Sequence, residues 1–133
     1  MRYRPAGLFN LPRLTNQDIT VDDLFIPKGT QFLFFQYGHC KSEEYWESPN
    51  EFIPERFIKN SHSDIFYPFS LGQRSCVGIN LAQDTLYLAI SNLFLNFKIT
   101  PPIENTILDD IEVLGLTLHC KPYNIKIEKR SIS

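Results

Sequence analysis

A mixed α+β fold is what this chain predicts, and three observations carry that expectation. Ile79, Ala82, Leu86, Ala89, Ile90, Leu93 and Phe97 recur at helical spacing over about five turns, enough for one long amphipathic helix. Earlier, Leu24-Phe25-Ile26 and Phe32-Leu33-Phe34-Phe35 flank Pro27-Lys28-Gly29-Thr30, which reads as strand, turn and strand. Towards the C-terminus, Gly115-Leu116-Thr117-Leu118 and Tyr123-Asn124-Ile125-Lys126-Ile127-Glu128 alternate like two strands around a Lys121-Pro122 turn. A length of 133 residues, 43% of them hydrophobic, leaves room for one domain with a modest core.

Taken in order, Met1 to Pro5 has no helix start of its own, and Pro5 would end any helix that reached it. Ala6 to Leu14 reads as an extended apolar segment interrupted by Pro12, and Arg13 by itself as an exposed charge on a strand edge. The stretch from Leu24 to Phe35 is expected to be a β-hairpin buried on at least one face. Ser42-Glu43-Glu44-Tyr45-Trp46 reads as one helical turn, with Ser42 as cap and two acids where the helix dipole favours them. Pro49 and Pro54 then force an irregular path. Lys59 to Asp64 is a polar surface loop. After the long helix, Phe97 to Thr100 reads as a strand stopped by Pro101-Pro102, and 103–113 is compatible with either state.

Composition excludes several classes. A net charge of −2 gives no reason to expect a nucleic-acid partner. Three widely separated cysteines, Cys40, Cys76 and Cys120, argue against a disulfide framework and for a reducing compartment. His39-Cys40 and His119-Cys120 lack the spacing with which one loop grips a tetrahedral zinc. No apolar run is long enough to span a bilayer, and no secretory signal opens the chain.

The densest chemistry lies in Pro68-Phe69-Ser70-Leu71-Gly72-Gln73-Arg74-Ser75-Cys76-Val77-Gly78. Gly72 and Gly78 allow backbone angles or close approaches that a side chain would forbid. Cys76 stands where the N–H groups of the coming helix favour a thiolate, and Arg74 adds a fixed positive charge that can fork onto a carboxylate. Such a thiolate suits a nucleophile or a metal ligand. The plain alternative is a free cysteine buried for packing.

The spacing Phe69-x-x-Gly72-x-Arg74-x-Cys76-x-Gly78 resembles the haem-binding loop of the cytochromes P-450, the haem-thiolate monooxygenases. The resemblance implies that Cys76 is the axial ligand of haem iron and that Arg74 pairs with a haem propionate. It implies too that Phe69 packs on the proximal side and that Gly78 lets the next helix pass close to the haem. It extends along the chain. Arg2 falls on the arginine of the family's Glu-x-x-Arg helix, whose glutamate would precede Met1, although alone it reads as a solvated terminal charge. Arg13 matches a basic position that contacts a propionate. Gly7, Leu8, Phe9, Asn10 and Leu11 fall on the stretch that lines the substrate pocket, and Leu114, Gly115 and Leu116 on a second substrate contact. Ile26-Pro27-Lys28-Gly29-Thr30 is similar to the turn of the family's small sheet. Tyr45 to Phe57, ending Pro54-Glu55-Arg56-Phe57, resembles its meander. Arg56 inherits a pairing with the same absent glutamate, so it is expected to be solvated or to find another acid such as Glu55. Where the family often has His-x-Asp-Pro, this chain has His39-Cys40-Lys41-Ser42.

On this resemblance the chain is a single partial domain, the C-terminal portion of the mainly-α P-450 fold: helix end and small sheet over 1–38, meander over 39–65, haem-ligand loop over 66–78, long helix over 79–97 and C-terminal hairpin over 98–133. The implied activity inserts one oxygen atom from O2 into a small apolar organic substrate, with haem as cofactor and electrons from a reductase partner. The family's oxygen-activating helix and its usual membrane anchor would lie before Met1, so the expectation is a truncated chain, poorly soluble and inactive alone. A full-length eukaryotic member would sit at the endoplasmic reticulum membrane. Two other readings stay open: a non-catalytic remnant with weak or no haem binding, and a haem-free α+β interaction domain.

Overall fold

A computed structural model describes the chain except for residues 63, 105, 107–110, 116 and 132–133. It divides into two compact units, one formed by 1–70 with 114–118 and the other by 71–113 with 119–133. The mixed α+β character is as predicted.

In the first unit, β1 (Arg13–Leu14) pairs antiparallel with β4 (Gln31–Phe32), and β2 (Ile19–Val21) with β3 (Leu24–Ile26). This corrects the expected hairpin. The Pro27–Thr30 turn does form, with the Thr30 N–H donating to the Pro27 carbonyl at 3.2 Å. It joins two separate sheets rather than two partners, because Asp22-Asp23 closes β2 onto β3 and leaves β4 to pair with β1. The expected burial is also corrected: Leu24, Phe25, Phe32 and Leu33 are exposed, and only Ile26 of that stretch is buried.

Phe34 and Phe35 leave the strand and lead into α1 (Gln36–Lys41), a short helix that the pattern did not announce. The Phe35 ring lies over Gly38, where an added Cβ would stand 2.4 Å from Phe35 Cδ1. A glycine there is what lets the ring fold back onto the helix and meet the Phe9 ring at a tilt of 33°, centroids 5.0 Å apart. Ser42 then forms its expected turn, accepting the Glu44 N–H at Oγ and the Trp46 N–H at its carbonyl.

The core of this unit is small. Trp46, Cys40 and Ile26 are buried, and Arg2, at 3% exposure, is buried with them. The expectation of a solvated Arg2 is therefore overturned. Its guanidinium stands 5.2 Å over the Trp46 ring and donates to the carbonyls of Cys40 (2.7 Å), Pro49 (3.0 Å from both Nη1 and Nη2) and Glu51 (3.3 Å). Carbonyl dipoles do here what a carboxylate would do elsewhere. Arg56, at the start of α2 (Arg56–Lys59), follows the same rule, donating to Ile53 O (3.2 Å), Glu47 O (3.0 Å) and Ser48 O (3.5 Å). It is half-buried, its head still partly open to solvent, and no acid meets it among the described residues. Around Trp46 pack Phe57, Phe66 and His62, so the loop expected to be purely polar contributes His62 to the aromatic cluster.

In the second unit α3 (Ile79–Asn96) is the long helix that the spacing predicts. It starts after Gly78 and ends where Phe97 turns extended, its N–H still donating to Leu93 O. No described residue of α3 is buried. The chain runs directly into β5 (Phe97–Thr100), the predicted strand, which pairs antiparallel with β8 (Lys126–Lys129). β6 (Glu112–Val113) pairs with β7 (His119–Cys120). The expected C-terminal hairpin is thus corrected in its partners: the strand at Lys126–Lys129 folds onto β5, and the residues before Lys121 onto β6. Leu116, assigned to the first of those strands and to substrate contact, lies outside the described residues.

Candidate functional site

The glycine-hinged loop has a defined local structure. Gly72 has φ +70°, a left-handed conformation that lets Gly72–Arg74 wind into one 3-10 turn, closed by the Ser75 N–H on the Gly72 carbonyl at 3.0 Å. Ser75 is extended, and Cys76 then opens a turn just ahead of α3, its carbonyl accepting the Ile79 N–H at 3.4 Å. Its thiol is free and exposed. Gly78 stands beside it, so that an added Cβ would lie 4.0 Å from Cys76 Sγ. Arg74, Leu71 and Val77 are exposed around it. This loop of the second unit thereby carries an exposed thiol, an exposed guanidinium and exposed apolar side chains.

The first unit holds the other assigned residues. Phe69 is half-buried in a turn whose last residue, Ser70, donates its N–H to the Tyr67 carbonyl at 3.1 Å. Arg13, in β1, donates from Nη2 to Ser70 Oγ at 2.8 Å. Arg13 and the residue next to Phe69 are therefore in contact, a link that the sequence did not reveal. Leu8 accepts the Tyr37 N–H at its carbonyl, Phe9 packs at a tilt against Phe35, and Leu11 is exposed.

The contact of Ser70 with Arg13 escaped the sequence reading, as did the packing of His62 on Trp46 in the core of the first unit. Trp46 could have been singled out, since it is the single tryptophan and lies in the aromatic meander. Its Nε1 is buried without a hydrogen-bond partner among the described residues. Nearby, burial pushes the Cys40 thiol above its ordinary pKa, with the charges of Arg2 and Lys41 opposing. Burial also lowers the pKa of Arg2, with Arg56 adding to it.

In the second unit a cysteine loop thus opens directly onto a long helix. The profile of the family described as Cytochrome P450 matches residues 1–127. Probable cytochrome P450 508A2 of Dictyostelium discoideum is 44% identical over 98% of this chain and 26% of its own length, and probable cytochrome P450 518A1 of the same organism is 40% identical over 98% and 27%. A zebra fish cytochrome P450 structure with abiraterone superimposes with a TM-score of 0.87 at 31% identity, covering 98% of this chain and 31% of that one. The chain belongs to the cytochrome P450 family, a family of haem-thiolate monooxygenases. It spans about a quarter of the length of the curated relatives it matches.

Proposed function

We propose that this chain is the proximal, haem-ligating segment of a monooxygenase, with the Cys76 thiolate as axial iron ligand. The observation that carries the reading is the Phe69–Gly78 motif, supported by an exposed Cys76 thiol with a bare glycine at its side. The donor set suits haem: a soft anionic sulfur for iron, a guanidinium at Arg74 for a propionate, and Leu71 and Val77 for an apolar macrocycle. In this reading Arg13 is a second propionate partner, Phe69 packs on the proximal side, and Gly78 keeps the start of α3 close to the ring. When bound, haem supplies the oxygen chemistry, and the thiolate ligand favours O–O cleavage. The residues of this chain hold and orient it.

The substrate class is a small apolar organic molecule, touched from this chain by Leu8, Phe9 and Leu11. A reductase supplies the electrons.

The test is the visible spectrum of the chain mixed with haem, reduced and exposed to carbon monoxide. A strongly red-shifted Soret band that Cys76→Ser abolishes is the expected result. A band unchanged by Cys76→Ser overturns the ligand assignment. No band at all favours a chain that binds no haem by itself.

A further inference from the structure

Resting on that reading, we infer that Arg13 is a positioning residue of the ligand loop: by donating to Ser70 Oγ it clamps the turn that carries Phe69. Ser70 has φ +64° although it is not glycine. In that left-handed backbone a side chain's Cβ crowds the following carbonyl, and the conformation persists only where surroundings over-determine it. Two contacts do so here. The Ser70 N–H closes the Tyr67-Pro68-Phe69-Ser70 turn at 3.1 Å, with Pro68 at the position where a fixed φ suits a β-turn. Arg13 Nη2 then meets Ser70 Oγ at 2.8 Å, a charge-assisted bond between residues 57 positions apart.

The donor is itself held. Arg13 belongs to β1, opposite Phe32 of β4. A residue anchored in a sheet thus restrains the backbone that follows Phe69. This duty is distinct from a propionate contact, because it operates without haem and runs through the serine hydroxyl.

Hydrogen–deuterium exchange on the full chain without haem, in a mild non-ionic detergent, separates the two duties. Arg13→Ala is expected to speed exchange of the turn-closing amide of Ser70 by about tenfold, the loss of one hydrogen bond. Ser70→Gly takes φ +64° without strain and needs no clamp. Adding it to Arg13→Ala should therefore bring exchange back to within about twofold of the parent. Unchanged exchange in Arg13→Ala, or no recovery with Ser70→Gly, overturns the clamp. Should Arg13→Ala fail to fold, Ser70→Ala removes only the acceptor and is read in the same way. If the parent chain gives no thiolate spectrum with haem, the functional reading fails, while the exchange data still decide the clamp.

Discussion

At the scale of single residues, the fold of the first unit depends on the Arg2 guanidinium, whose acceptors among the described residues are all carbonyls. Arg2→Met keeps much of the apolar stem over Trp46 but leaves the carbonyls of Cys40 and Pro49 without their donor. Each orphaned buried carbonyl costs about 1–3 kcal/mol, so a loss of roughly 3 kcal/mol is expected as a lower urea midpoint. Arg2→Lys should recover only part of this, because an ammonium cannot reproduce the planar fork. Cys40 gives a pH signature. Burial raises its thiol pKa, so the folded chain keeps a proton that the unfolded chain releases above its ordinary value of about 8.5. Stability contributed by the neutral thiol is whole below that pH and falls as pH rises towards the folded value. The slope is at most about 1.4 kcal/mol per pH unit. Urea midpoints from pH 7 to 10 should fall more steeply for the parent than for Cys40→Ala; parallel curves would show that the thiol titrates alike in both states. The motif residues were legible because their types and spacing are local. Arg2, Ser70 and His62 were not, because what defines them is a partner distant in sequence or a backbone angle.

At the scale of elements, legibility followed length. α3 repeats its apolar signal over five turns by rough count, and β5 follows it where expected. The strands of the first unit are only two or three residues long, too short for alternation to specify a partner. The Pro27–Thr30 turn was visible from its residues, but a turn says where the chain bends, not which strands pair after it. At the C-terminus the same limit applied: Lys126–Lys129 pairs with a strand some thirty residues earlier by rough count, across a non-local loop closure that no local pattern reports. In α1 the consequence of packing is testable. Gly38→Ala puts a Cβ at 2.4 Å from the Phe35 ring, which must swing away and give up its packing against Phe9. A destabilisation of about 1–3 kcal/mol is expected despite alanine's better helix propensity. A gain in stability would mean that the ring moves at no cost.

At the scale of the whole molecule, the governing quantity is uncovered surface. Many large apolar side chains are exposed among the described residues, and α3 shows where. Leu81, Leu88 and Leu95 are 73%, 57% and 68% exposed, and they stand seven residues apart, on one stripe of the helix. A continuous exposed apolar stripe of this kind drives association in water. The isolated chain is therefore expected to sediment as oligomers or aggregate, with concentration-dependent melting. Replacing Leu81, Leu88 and Leu95 together by Lys should raise the monomer fraction several-fold, by a rough expectation from removing the patch, while far-UV circular dichroism keeps its helical signal, since Lys is a good helix former. Parent chain that sediments as one 15.5 kDa species with a single sharp transition would overturn this, and would mean that the exposed stripe finds cover within the molecule.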